Sequence, residues 1–198
     1  MKGENRMSLK GVKVGFCMTG SFCTFEKAFA AAQALKAQGA ELVPIMSFNA
    51  AALSTRFGRA EDNISRLELI AGKPVIRTIV DAEPIGPKKL CDVMAVVPCT
   101  SNTAAKLANG IVDTPAAMAV KSHVRNERPV VIAISTNDAL GACARSIGTL
   151  QSMRNYYFVP YGQDAPDAKP RSAIADMTKL TDTIEAALSG EQLRPILL

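Results

Sequence analysis

Six consecutive residues, Pro98-Cys99-Thr100-Ser101-Asn102-Thr103, place four hydrogen-bonding side chains side by side. One Ser or Asn is enough to cap a helix, so this density points to a ligand rich in hydroxyl or carbonyl groups. A second run, Thr19-Gly20-Ser21-Phe22-Cys23-Thr24, has a glycine that lets backbone N–H groups face a ligand, with hydroxyls on Ser21 and Thr24. A helix start follows it and favours an anion. Phosphate is the natural guest; a capped helix start after a tight turn is the plain alternative. Ser47-Phe48-Asn49-Ala50 carries short polar groups that hold a second edge of a phosphate or simply make a turn. In Ser135-Thr136-Asn137-Asp138, Asp138 either caps the next helix or meets a cationic or proton-carrying substrate atom. Arg56 and Arg59, around Phe57-Gly58, form a basic loop that attracts an anionic substrate or is merely solvated.

Other chemistries lack their residues. Gly15 and Gly20 have the glycine spacing of a Walker loop, but Ser21 and Phe22 stand where Lys and Ser/Thr are needed, and G-x-G-x-x-G is absent. Cys17, Cys23, Cys91, Cys99 and Cys143 include no C-x-x-C pair and have no His partner, so neither a zinc site nor a redox dithiol is expected. His123 falls on a helix face near the surface by pattern, with no Ser/Asp or metal constellation beside it.

Each polar run follows a short apolar one, which makes it a strand-end loop. Val12–Met18, Leu42–Met46, Val93–Pro98, Pro129–Ser135 and Tyr156–Pro160 read as five strands without polar alternation, hence buried on both faces. Helical stretches fall between and after them: Phe25–Ala37, Glu61–Ala71, Thr103–Asn109, Thr114 to about Val124, Ala139–Arg154 and Ile174–Leu188. Val75–Val80 is one possible extra strand in an irregular connection, and Asp164–Pro170 is a loop. This alternation predicts a doubly wound parallel sheet, flavodoxin- or Rossmann-like, in three α/β/α layers. Ligands of such folds sit at the carboxyl ends of the strands, where these loops lie.

Composition agrees. Of 198 residues 48% are hydrophobic and 21% charged, which suits one globular domain over 1–198, with residues 1–8 expected to be flexible. Much of the +5 net charge sits in Met1–Lys13, where Lys2, Arg6, Lys10 and Lys13 face only Glu4. That is no nucleic-acid footprint. No apolar run approaches the roughly 20 residues a membrane span needs. With no signal-like N-terminus and free thiols throughout, a cytoplasmic protein is expected.

Two resemblances extend the reading. Gly20-Ser21 together with Pro98 to Ile111 resembles the flavoprotein family of oligomeric FMN-dependent cysteine decarboxylases. The resemblance implies that the first loop (Gly20, Ser21, Phe22) and the second (Ser47, Asn49) hold an FMN phosphate. It implies that Pro98, Thr100, Ser101, Asn102 and Thr103 hold the ribityl chain and ring edge, with Ser135 beside them. A closer resemblance runs along nearly the whole chain. It is carried by Ser8 to Gly11, Thr55 to Asp62, Ala82 to Lys89, Ile134 to Gly141 and Tyr157 to Asp164. These stretches resemble the B subunits of the dipicolinate synthases of spore-forming bacteria.

That resemblance implies a two-electron oxidation of a dihydrodipicolinate-type ring, a small dicarboxylic acid, in the mother cell during sporulation. It also implies a partner A subunit carrying NAD(P), and self-assembly into a homo-oligomer. Arg56 and Arg59 are then candidates for the substrate carboxylates, and Asn137 and Asp138 for catalytic groups. The chain departs from the decarboxylases at two places. Arg66 stands at the position of their catalytic His, and Ser135-Thr136-Asn137 replaces their Pro-Ala-Met-Asn loop. Decarboxylation, or a non-catalytic scaffold activating the A subunit, are the alternatives.

Overall fold

A computed structural model describes residues 9–198 of the chain; the expected flexibility of 1–8 lies outside the described residues. Strands β1 (Lys13–Met18), β2 (Glu41–Met46), β3 (Val93–Cys99), β4 (Val130–Thr136) and β5 (Tyr156–Phe158) pair in parallel in the order β2-β1-β3-β4-β5. Their side chains alternate between two cores. Val14, Phe16 and Met18 of β1 face one layer and Cys17 the other; Val93, Ala95 and Val97 of β3 face the first and Met94, Val96 and Cys99 the second. Both faces are apolar because both are covered.

Helices α1 (Phe25–Ala37), α2 (Phe48–Ala52) and α3 (Ala60–Ala71) precede β3, with the single turn α4 (Ile79–Ala82). Helices α5 (Ser101–Ala108) and α6 (Pro115–Val124) follow it. Helices α7 (Cys143–Ser152) and α8 (Leu180–Leu188) complete the chain. Phe25, Phe29, Leu35, Leu67 and Ile184 place α1, α3 and α8 on the first layer; Leu107, Val120 and Ile147 place α5, α6 and α7 on the second. The helices begin where the sequence offers a cap. Thr100 accepts from Thr103 N–H at α5, and Thr114 accepts from Ala117 N–H at α6, which has Pro115 in its first turn.

The sheet is mixed rather than purely parallel. Two short strands, β6 (Tyr161–Gly162) and β7 (Ala173–Ala175), run antiparallel to each other, and β7 runs antiparallel to the end of β4. Strand β5 pairs with Val130–Ile132 only, so Ser135 and Thr136 take Ile174 and Ala173 as partners. The polar loop after β6 turns the chain back far enough to fill that vacancy. Residues 174–179 are therefore not helical throughout. The Asp176 carboxylate accepts from Thr178 N–H at 3.1 Å, and α8 starts only at Leu180.

Two further expectations shift. Asp138 holds Ala142 N–H and Cys143 N–H, so α7 begins at Cys143 rather than Ala139. The Val75–Val80 run makes one bridge, Ile45 to Ile76, before Thr78 caps α4. His123 is not near the surface. It is 1% exposed, and its Nε2 donates to Pro129 O at 3.0 Å under the turn that leads into β4.

Candidate functional site

Parallel strands end at one edge, and the loops after β1, β2, β3 and β4 meet there. Thr19 locks the first loop to the third. Its hydroxyl donates to Pro98 O at 2.7 Å and accepts from Thr100 N–H at 3.0 Å. The register of β3 against β4 shifts between Val96 and Cys99, around a cis Val97–Pro98 peptide, where the strand hands over to the third loop. Ser47 N–H donates to Met18 O at 3.0 Å, which sets the second loop beside the first. Ser21 Oγ and Ser135 Oγ lie 2.8 Å apart and join the first loop to the fourth.

Between the first three loops is an open cleft of about 280 Å³. Gly20 lines it from the first loop, Ser47, Phe48 and Asn49 from the second, and Thr100, Asn102 and Thr103 from the third. Thr114, at the start of α6, closes the fourth side. Ser47, Thr103 and Thr114 each accept one bond, from Ala50 N–H, the Thr100 hydroxyl and Ala117 N–H respectively. Among the described residues, no protein acceptor takes the hydroxyl protons of these three or the amide protons of Asn49 and Asn102. Five neutral donors thus remain for a ligand. No Lys or Arg lines the cleft, and none of its eight lining residues titrates. The cleft can bind and orient a polyhydroxyl or anionic ligand; it offers no proton-transfer group of its own.

The remaining candidates surround this cleft without lining it. Ser21 and Ser135 lie between the first and fourth loops. Phe22 packs on Phe25, with ring centroids 5.2 Å apart, and Ser101 opens α5. Pro98 is buried beneath the Thr19 hydroxyl. Asn137 is exposed, with its Oδ1 3.4 Å from Ser172 Oγ. Both carboxylate oxygens of Asp138 are engaged at the start of α7. Arg56 and Arg59 are exposed on the turn before α3; Arg56 stacks over Phe57 at 4.8 Å and Arg59 pairs loosely with Glu61 at 3.7 Å. Phe48 and Thr114 are lining residues that sequence reasoning did not assign. Phe48 sits inside a loop read for its polar members. Thr114 before Pro115 reads as an ordinary cap, and only the fold brings it to the strand ends.

Arg66, which the sequence resemblance sets at the position of a catalytic His, makes a two-pronged contact with Glu26 at 2.6 and 2.9 Å and lies 4.3 Å over the Phe29 ring. It ties α3 to α1. Among the described residues no group of three or more His, Cys, Asp or Glu could hold a metal. Burial, with the neighbouring Cys143 and Cys17, pushes the Cys99 thiol well above its usual range, so it is held protonated behind the third loop.

Comparison with known proteins places this geometry. A flavoprotein family model matches residues 2–188. The dipicolinate synthase B subunit of Bacillus subtilis (strain 168) is 46% identical over 191 residues, covering 96% of each chain. The crystal structure of the dipicolinate synthase B subunit from Bacillus halodurans superposes with a TM-score of 0.89 at 41% identity, over 97% of this chain and 98% of that one. The FMN-dependent cysteine decarboxylase SpaF shares the fold, with a TM-score of 0.69 at 22% identity over 92% and 98% of the two chains. With a family model along almost its whole length and a relative so similar end to end, the chain belongs to the flavoprotein family.

Proposed function

We propose that this chain is the flavin-holding B subunit of a dipicolinate synthase. In this reading it is an oxidoreductase subunit that removes two electrons from a dihydrodipicolinate-type ring to give aromatic dipicolinate. The observation that carries the reading is the set of five neutral donors at the carboxyl edge of the sheet. The donor set fits FMN: its phosphate and ribityl hydroxyls are acceptor-rich. About 280 Å³ is close to the lower end of small-molecule sites, roughly 300 Å³, and suits that part of the nucleotide. Ser47, Asn49, Asn102, Thr103 and Thr114 would hold it, and Phe48 supplies an apolar wall.

Bound FMN supplies a two-electron acceptor, and the protein positions it. The substrate carboxylates are taken by Arg56 and Arg59, whose guanidinium groups pair carboxylates in a fork and whose exposure leaves them reachable. Asn137, exposed beyond the fourth loop, offers its amide to a polar edge of the ring. Asp138 as base would have to release two N–H groups of α7, so Asn137 is the better placed of the two. An A subunit provides NAD(P) as the onward electron acceptor, and the pair works in the mother-cell cytoplasm. Decarboxylation of a peptidyl cysteine is disfavoured because Arg66 is tied into a structural bridge.

The test is an absorbance spectrum of the purified chain, with mass spectrometry of what denaturation releases, followed by reconstitution with the A subunit. Released FMN, and dipicolinate formation that needs both chains, are expected. A colourless protein that refuses added flavin would overturn the flavin assignment and move the acceptor to the nicotinamide of the A subunit. An A subunit fully active alone would overturn the catalytic role of this chain.

A further inference from the structure

Three hydroxyls join the first loop to the fourth, and one arrangement of their protons makes every contact among them a hydrogen bond. Thr24 Oγ1 donates to Ser21 O at 2.8 Å. Ser135 Oγ donates to Thr24 Oγ1 at 3.3 Å. Ser21 Oγ is 2.8 Å from Ser135 Oγ. A hydroxyl has one proton. With the protons of Thr24 and Ser135 committed, the Ser21–Ser135 contact is a hydrogen bond only when Ser21 donates. The Ser21 backbone N–H is engaged as well, with Thr19 O at 2.7 Å. The half-buried Ser21 side chain therefore turns lone pairs outward, not a proton. Its other neighbour, exposed Cys23 Sγ at 4.0 Å, is a weak contact that draws on the same lone pairs.

This polarity is opposite to that of the cleft beside it. Ser47, Asn49, Asn102, Thr103 and Thr114 present protons; Ser21 presents an acceptor. A phosphate oxygen at Ser21 would have to draw its proton off Ser135. Ser135 would then turn its own proton to Ser21 and leave Thr24 unaccompanied. Both Ser135 and Thr24 are 4% exposed, so water does not make up the lost bond.

We propose that Ser135 is a positioning residue that fixes Ser21 as a hydrogen-bond acceptor, and that the ligand meets Ser21 with the N–H of a heterocyclic ring rather than with a phosphate oxygen. The anionic end of the ligand then lies on the donor cleft and the ring end toward the fourth loop. This inference rests on the flavin reading for its first probe, and reverses the role that the family resemblance implies for Ser21.

The experiment uses the full chain stripped of bound flavin. Dissociation constants are measured by fluorescence for FMN, riboflavin and 3-methylriboflavin, which has N–CH3 where the ring imide has N–H. Wild type should prefer riboflavin over the methylated ring about fivefold. Ser21→Ala should lose that preference and keep the preference for FMN over riboflavin. Ser135→Ala should lose it too, while Ser135→Thr, which keeps a hydroxyl, restores it. Asn49→Ala on the donor cleft should do the converse, shrinking the FMN-over-riboflavin ratio alone. A Ser21→Ala protein with a collapsed FMN-over-riboflavin ratio and an intact methyl discrimination overturns the proposal. So does a wild type indifferent to the methyl group. If no flavin binds at all, the flavin reading fails first, and inorganic phosphate replaces it as probe. Ser135→Ala, which frees the Ser21 proton, should then bind phosphate severalfold more tightly than wild type, and equal affinities overturn the polarity.

Discussion

His123 is 1% exposed and spans the space between α6 and the turn into β4, its Nε2 on Pro129 O. Burial drives its pKa down to about 4; the Pro129 carbonyl opposes the shift, Arg128 adds to it, and Asp92 opposes it. The unfolded chain takes up this proton near pH 6.5, the folded one only near 4. The contribution of neutral His123 is therefore complete above pH 6.5 and lost as the pH falls through 6.5 toward 4. Between pH 7 and pH 5 the loss is about 2 kcal/mol. Urea unfolding at the two pH values should show it, and His123→Gln, which retains an N–H for Pro129 O, should flatten the difference. An equal slope in both proteins would place the pH dependence elsewhere. The expectation of a ring near the surface followed its polarity; His123 in fact shares the face of Ala116, Ala119 and Val120, all buried, so helical spacing already pointed inward. The hydroxyls of Thr100 and Thr103 were legible directly: a run of polar residues at a strand end is visible without knowing what packs on it.

At the scale of elements, strands buried on both faces announce themselves by unbroken apolar runs, and all five parallel strands were legible that way. Strands β6 and β7 span Tyr161–Gly162 and Ala173–Ala175, too short to show a period. They exist because β5 leaves the end of β4 unpaired, a fact of three-dimensional register. Helix α6 matters most to the site, because its cap residue Thr114 lines the cleft. Its far end is held by the turn after α4. Gly86 N–H donates to Ser122 Oγ at 2.8 Å, and Asn126 Nδ2 donates to Gly86 O at 2.8 Å. A Cβ on Gly86 would sit 2.0 Å from Ser122 O, which is backbone and cannot swing aside. Gly86→Ala should therefore push α6 away from the turn and cost roughly 3 kcal/mol. For a chain of this size that is a fall of about 8 °C in Tm. Flavin affinity should drop with it, since Thr114 moves with its helix. A variant with an unchanged melting curve would mean that the turn, not the helix, gives way.

For the whole molecule, the exposed surface next to the cleft is the part least explained by a single chain. Phe48, Leu53 and Phe57 are 45%, 48% and 48% exposed within one short segment, from the start of α2 to the turn before α3. Isolated exposed hydrophobics are ordinary, but three large ones in one stretch, with Arg56 laid over Phe57 at 4.8 Å, resemble an interface under construction more than a solvated loop. Phe48 also lines the cleft, so whatever covers this segment borders the ligand. Self-assembly would bury this segment between copies. Leu53→Ser combined with Phe57→Ser should then lower the assembled mass seen by light scattering. Neither side chain belongs to a buried core, so unfolding in urea should stay within about 0.5 kcal/mol of wild type. Flavin affinity should weaken in the same variant, because Phe48 loses its cover. An unchanged mass would overturn self-assembly over this segment.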